Sequence, residues 1–368
     1  MFKKLFGKKK SQKPESYDEA KNLLIESISE ESSNKNLGKN FDFCLEFLEE
    51  DETKVEDLAN SVLPLVESLP LPQAALALSI CVGLIERGYH DVAFIDEIVS
   101  IYDKHLAAAQ PLFKLLEERV KMSEEGDMMV QDIHSIYNSL VANRNLVPEN
   151  VVFSAQRVEA FSQSIAAILS ISPSYIFKYK EKLKDNILAA IDSYPVCYWL
   201  VVLLDILFED PILVIDIDNN IGFEAKMSGV SDNFQLQHLL MGLSELNENP
   251  VISEADLAVA NGTGIHVSNT IMERKWNMYT HEIIDESGWD EIKVGPAKTF
   301  ELEDHWILGK DQPIDIPIRE GKRVILLGRC SHKQPCKLGR TFKNLKAKIE
   351  VERMLTDEEI NSWLGIKA

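Results

Sequence analysis

Apolar positions recur at helical spacing through the first half of the chain and at alternating spacing through parts of the second. In "YDEAKNLLIESI", Ala20, Leu23, Leu24 and Ile28 share one helical face. "PQAALALSICVGLIERG" opens on Pro72 and closes on Gly88, residues suited to a helix start and a C-cap. "DVAFIDEIVSIYDKHL", "DMMVQDIHSIYNSLV", "AQRVEAFSQSIAAILS" and "SYIFKYKEKLKDNILAAI" continue the pattern, with breaks near Gly126, Pro148, Pro173 and Pro195. Short connections make successive helices antiparallel neighbours, so residues 16–209 are expected to form an all-α bundle or irregular solenoid. No fixed repeat length runs through them, which disfavours the named helical-repeat families.

The texture changes at Asp210-Pro211. "PILVIDI" and "GFEAKMSGV" are strand-like runs separated by the turn formers Asp218, Asn219 and Asn220, the pattern of an antiparallel hairpin. "SDNFQLQHLLMGLSEL" predicts a helix capped within 231–233, with Phe234, Leu236, Leu239, Leu240 and Leu243 on its apolar side. Residues 246–270 read as loop, and strands are expected at 276–284, 304–308 and 323–327. "LKAKIEVE" alternates as a half-exposed strand, with Lys346 and Lys348 on its polar side; Thr356 and Glu359 then form a capping box. The expected fold is therefore α+β: a basic tail over 1–15, the helical array, and a smaller, mostly antiparallel α+β domain over 210–368.

The 368 residues suit two domains, and the apolar and charged fractions are those of a globular protein. The longest apolar run, "PVCYWLVVLL" from Pro195, is too short to span a bilayer. The lysine-rich start "MFKKLFGKKK" is not followed by the apolar stretch of a secretory signal, although Phe2, Leu5 and Phe6 could rest weakly on a membrane surface. Five scattered cysteines, Cys44, Cys81, Cys197, Cys330 and Cys336, fit reduced thiols and a cytoplasmic location. The net charge of −20 is uneven: residues 319–353 carry eleven Lys/Arg against three Glu, and the acidic excess lies in 14–318. Such a body disfavours nucleic acid as the main partner and suits a protein with a basic surface.

"SGVSDNFQLQHLLMGLS", with "GKRVILLG" downstream, resembles an uncharacterised bacterial family with a helical front and a β-rich back. The likeness covers about 210–330; it implies a bacterial source but no activity, ligand or site residue.

Three stretches could carry chemistry. "ILVIDIDNN" is similar to the motif of haloacid-dehalogenase-type phosphatases, which present two carboxylates to Mg²⁺ at a strand end; here these would be Asp216 and Asp218. Asn220 departs from that motif, and the strand returns at once where such an enzyme needs a helical crossover. Cys330, His332 and Cys336 offer three soft ligands for zinc, with His281 or His305 as a distant fourth, in a spacing that matches no standard knuckle. The acid-free segment from Arg329 to Lys348 carries Arg329, Lys333, Lys337, Arg340, Lys343, Lys346 and Lys348, with Phe342 among them, and is the best candidate for an anion or partner site.

No nucleophile, base and charge stabiliser come together. The expectation is a non-enzymatic interaction module without a cofactor, immunity- or antitoxin-like in one version, that holds a basic partner on its acidic helices. The alternatives are a Mg²⁺-dependent phosphohydrolase on Asp216 and Asp218, or nucleic-acid binding by 329–348.

Overall fold

The computed structural model describes residues 13–30, 35–125, 133–191, 195–247, 252–264, 272–287, 305–309, 311–330, 335–336 and 341–366. An N-terminal helical array is followed by a mixed sheet with helices. The chain divides into two compact units, Met1–Ile168 with Glu181–Leu200, and Leu169–Lys180 with Val201–Ala368. Hydropathy changes at 209/210; contacts divide at Leu200/Val201, and Leu169–Lys180 groups with the second unit.

Nine helices form the array among the described residues: α1 (Tyr17–Ser29), α2 (Leu37–Glu50), α3 (Lys54–Ser68), α4 (Leu71–Glu86), α5 (Val92–Glu125), α6 (Ile133–Ala142), α7 (Glu149–Leu169), α8 (Pro173–Leu188) and α9 (Pro195–Leu204). Ser16 caps α1 by accepting from the Glu19 amide, and Ala20, Leu24 and Ile28 are its buried stripe. α4 is buried on most sides, through Ala74, Ala77, Leu78, Cys81, Leu84 and Ile85 among others, and packs against α3 and α1. It ends in a Schellman turn: Tyr89 N–H donates to Leu84 O (3.1 Å) and Gly88 N–H to Ile85 O (3.0 Å). Gly88 stands at φ +106°, which only glycine adopts without strain. Among the described residues no helix is long and apolar enough to cross a membrane.

Among the described residues, one arginine lies buried inside this unit. Arg157 of α7 is 1% exposed and donates to Val66 O and Leu69 O, carbonyls at the C-terminal end of α3 that have no partner further along the helix. Its guanidinium also stacks over Phe153 (4.5 Å) and Phe161 (5.6 Å). His105 of α5 sits edge-on to both rings and meets Ser154 Oγ at 3.3 Å through Nδ1. Burial, then the charges of Arg157 and Lys104, push its imidazole down to about 4; Glu67 opposes them.

In the second unit the strands are β1 (Asp210–Asp216), β2 (Ile221–Ser228), β3 (Met272–Glu273), β4 (Trp276–Thr280), β5 (Ile318–Arg319), β6 (Lys322–Arg329), β7 (Pro335–Cys336) and β8 (Lys348–Met354). The main sheet has the order β4-β6-β1-β2-β8, with β5 also on β6; β3 and β7 form a separate pair. All pairs are antiparallel except β1 with β6. The expected hairpin forms from β1 and β2, with Asp216 opposite Ile221. "PILVIDI" is apolar on both sides because β1 is central: Ile212 and Val214 face one core cluster, Leu213 and Ile215 the other.

α10 (Asn233–Met241) covers the first face through Leu236, Leu239 and Leu240. α12 (Glu282–Ser287) and α13 (Asp357–Trp363) cover the other with Ile283 and Ile360, joined by Leu364. Asp232 caps α10, and the Thr356–Glu359 capping box opens α13.

Several expectations need correction. Residues 282–287 form a helix, not a continuation of strand β4, and of the strand expected at 304–308 the described residues 305–308 form no strand beyond the isolated Tyr279–Trp306 bridge. β8 starts at Lys348; Lys343–Leu345 form a 3₁₀ turn, and Lys346 has a left-handed φ of +47°. α11 (Glu254–Ala260) lies within the stretch read as loop, capped by Ser253.

Truncating Arg157 to Ala leaves two helix-end carbonyls unsatisfied and opens a cavity, so the helical unit should lose on the order of 3 kcal/mol. Urea unfolding followed by circular dichroism reads this as a lower midpoint; an unchanged midpoint would show that Arg157 clamps nothing. His105 has a folded pKa of about 4, below an unfolded value of about 6.5. Its contribution is complete above pH 6.5, is lost as pH falls towards 4 and is flat below that, by at most about 3 kcal/mol. His105→Gln should flatten this part of the stability–pH curve; a curve parallel to wild type would exclude the effect.

Candidate functional site: an acid-edged groove

Among the described residues, the predicted site residues do not converge. A turn-flanking Asp216 on the polar side of the β1–β2 hairpin would be exposed; it is instead fully buried. Its Oδ2 accepts from Trp276 Nε1 (3.2 Å) and Asn219 Nδ2 (2.9 Å), and its Oδ1 from the Asn219 amide (3.2 Å). It is an internal clamp between the hairpin turn and β4. Asp218 is exposed on that turn, where the chain goes directly into the returning strand.

Cys336 is buried, its thiol donating to Gln237 Oε1 (3.4 Å) and lying 3.6 Å from His238 Nδ1. Burial pushes that thiol up to about 12. His238 is buried and donates its Nδ1–H to Phe234 O (2.6 Å). Cys330 is half-buried and donates to Asn277 Oδ1 (3.3 Å), while His332 lies outside the described residues. Among the described residues no three His, Cys, Asp or Glu side chains are arranged to hold a metal.

Of the basic stretch, Lys333, Lys337 and Arg340 lie outside the described residues, as do the side chains of Arg329 and Lys343. Lys346 is exposed ahead of the strand, so it does not share a strand face with Lys348. Lys348 pairs with Glu350 (2.6 Å) and Glu209 (3.8 Å), which hold its ammonium above the usual range, the Glu350 hydrogen bond first. Lys226–Glu352 (3.1 Å) and Arg353 with Glu224 (2.6 Å) and Glu359 (2.8 Å) continue this matching along β2 and β8.

The helical unit holds a concavity. A groove of about 540 Å³ opens where α2 ends, α3 begins and α4 terminates. Leu45, Leu48, Val55 and Leu84 give it apolar walls; Glu49, Glu52, Arg87 and Tyr89 line it as well. Its size is that of a ligand or side-chain pocket. The Arg87 guanidinium is held by Gly83 O (3.1 Å) and stacked on Phe41 (5.3 Å). Lysines nearby are taken by other acids, Lys13 by Glu46 and Lys54 by Asp51 (3.3 Å), and among the described residues neither Glu49 nor Glu52 has an ion-pair partner. Burial raises the Tyr89 phenol, and the charges of Asp91 and Glu56 add to it, as expected beside an electronegative cleft. The C-terminal end of α4 brings further partial negative charge to the rim. A sequence signal was present: between 42 and 57 there are eight acids and one lysine, spanning the α2–α3 junction.

Comparison with protein-family models, with curated proteins and with solved structures returns no match. The resemblance of 210–330 to an uncharacterised bacterial family rests on its motifs alone.

Asp216→Ala should cost the second unit about 2–3 kcal/mol, because the buried Trp276 Nε1 loses its acceptor and the turn loses its tie at Asn219. Asp218→Ala should stay within about 0.5 kcal/mol. Tryptophan fluorescence during urea unfolding measures both; equal effects would contradict the clamp assigned to Asp216.

Proposed function

We propose that the chain is a non-enzymatic binding protein whose helical unit holds a basic, partly apolar segment of another protein in the α2/α3/α4 groove. The observation that carries this reading is the groove itself: apolar walls with two carboxylates, Glu49 and Glu52, that have no ion-pair partner among the described residues. An apolar side chain of the partner would replace water against Leu45, Leu48 and Leu84, gaining roughly 25 cal/mol per Å² buried. Lysine or arginine beside it would meet the acidic rim, and the strongly acidic body would speed its approach. The clamp role of Asp216 supports a binding module over a phosphohydrolase. An immunity- or antitoxin-like protein is the form of this reading in which the partner is a basic effector.

The test is fluorescence anisotropy with the full chain and a labelled peptide of mixed Leu, Phe and Lys. Binding should weaken as salt rises from about 50 to 300 mM, since rim charges are screened within about 10 Å. The exposed pair Glu49→Lys with Glu52→Lys should reduce affinity at least tenfold, and a peptide with Glu in place of Lys should not bind. Equal binding by wild type and the double variant would remove the groove from the function.

A further inference from the structure

We infer that the groove has an occupant within its own chain: residues 1–12, "MFKKLFGKKKSQ", which compete with an external partner for it. This rests on the groove reading above and adds regulation to it. The segment's composition mirrors that of the groove. Phe2, Leu5 and Phe6 follow the i, i+3, i+4 spacing of a groove-binding helical turn, and Lys3, Lys4, Lys8, Lys9 and Lys10 surround them without one acid.

Position agrees with composition. Lys13, the first described residue, is ion-paired to Glu46 on α2, adjacent in sequence to Leu45 and one turn before Glu49, both of which line the groove. The Glu46 hydrogen bond and charge, with Glu50 adding, hold the Lys13 ammonium above its usual range. Four residues on, the Tyr17 hydroxyl reaches Lys54 O (3.0 Å) and Asp57 Oδ2 (2.9 Å), beside the groove residue Val55. The chain thus leaves for residue 12 beside the two helix ends that wall the groove. Twelve residues span up to about 40 Å, so reach sets no limit. A short tether holds its end at an effective concentration on the order of millimolar, enough to compete with a partner of moderate affinity.

The competition is measured with the full chain and a labelled synthetic peptide of residues 1–12. Disabling the tethered copy by Phe2→Asp, Leu5→Asp and Phe6→Asp should make the chain bind the free peptide at least tenfold more tightly than wild type. Adding Glu49→Lys and Glu52→Lys should abolish the gain. A photoreactive phenylalanine analogue at position 6 should cross-link within one chain to peptides covering 45–55 or 84–89. Equal affinity of wild type and the tail variant, with binding still lost on Glu49→Lys and Glu52→Lys, would overturn the self-occupancy and leave the groove reading standing. Cross-links formed only between two copies would also overturn it, in favour of exchange between chains. Peptide bound by no form of the protein would overturn both readings.

Discussion

The second unit depends on a helix that has nowhere to put its polar groups except inside the protein. Every residue of α10 that could face water in an ordinary amphipathic helix is buried, including Asn233, Gln235, Gln237 and His238. A buried amide without a partner costs on the order of 1–3 kcal/mol, so each gains from a match. Three of the matches come from far along the chain. Gln235 donates to Ala260 O (2.6 Å) and accepts from the Ser231 amide (2.7 Å), Gln237 donates to Trp276 O (2.6 Å), and Asn233 donates to Leu308 O (3.0 Å). α10 therefore fixes where α11 ends, where β4 begins and how the 305–309 segment lies. Gly309 completes the fit, since a methyl group there would stand 2.2 Å from the Phe234 ring. Asp216 acts in the same way from the sheet, tying the β1–β2 turn to the side chain of the same Trp276.

The helical unit meets its own version of this constraint with a cation. Apolar burial is non-directional and would allow α3 to slide along its neighbours at modest cost. Arg157 removes that freedom, because a planar guanidinium held between two rings can satisfy the Val66 and Leu69 carbonyls only at one position of the α3 terminus. The same cation helps to keep His105 neutral. In both units hydrophobic contact supplies most of the stability, while a few buried polar groups select one arrangement out of many that bury similar area.

This division explains what could be read from the sequence. Local signals were legible where local chemistry decides: the Thr356–Glu359 box, the Asp232 cap, the Gly88 terminus and the turn after β1 all stand where their residues place them. The continuous apolar run of β1 was legible too, although not its parallel pairing with β6, which involves residues more than a hundred positions away. Tertiary partners hid the rest. Gln235 and Gln237 look like a solvent face until the carbonyls of Ala260 and Trp276 are brought to them. Asp216 looks exposed until Trp276 lies across it, and α11 was hidden because its seven residues follow a polar stretch of sequence, although Ser253 and Asp256 mark its start. The groove joins residues from 45 to 89 through three helix ends, and only the acid run at 42–57 hinted at it.

Charge alone would favour the basic stretch as the place where a partner binds, and the ion pairs of Lys348 argue against that residue as an open anion contact. A charge contributes to recognition in proportion to how little of it is already spent on neighbours. Lys348 is matched by Glu350 and Glu209, and the adjoining β2 and β8 carry further pairs, so an incoming anion would have to displace intramolecular carboxylates. The groove offers the opposite situation. Glu49 and Glu52 have no ion-pair partner among the described residues, and they stand beside leucines that gain from being covered. Exposed ion pairs taken singly contribute about 0–1 kcal/mol, too little to define a partner, whereas the same charges at the edge of an apolar cleft decide which apolar segment enters. For that reason the acidic groove, rather than the basic stretch, is where selectivity is expected to lie.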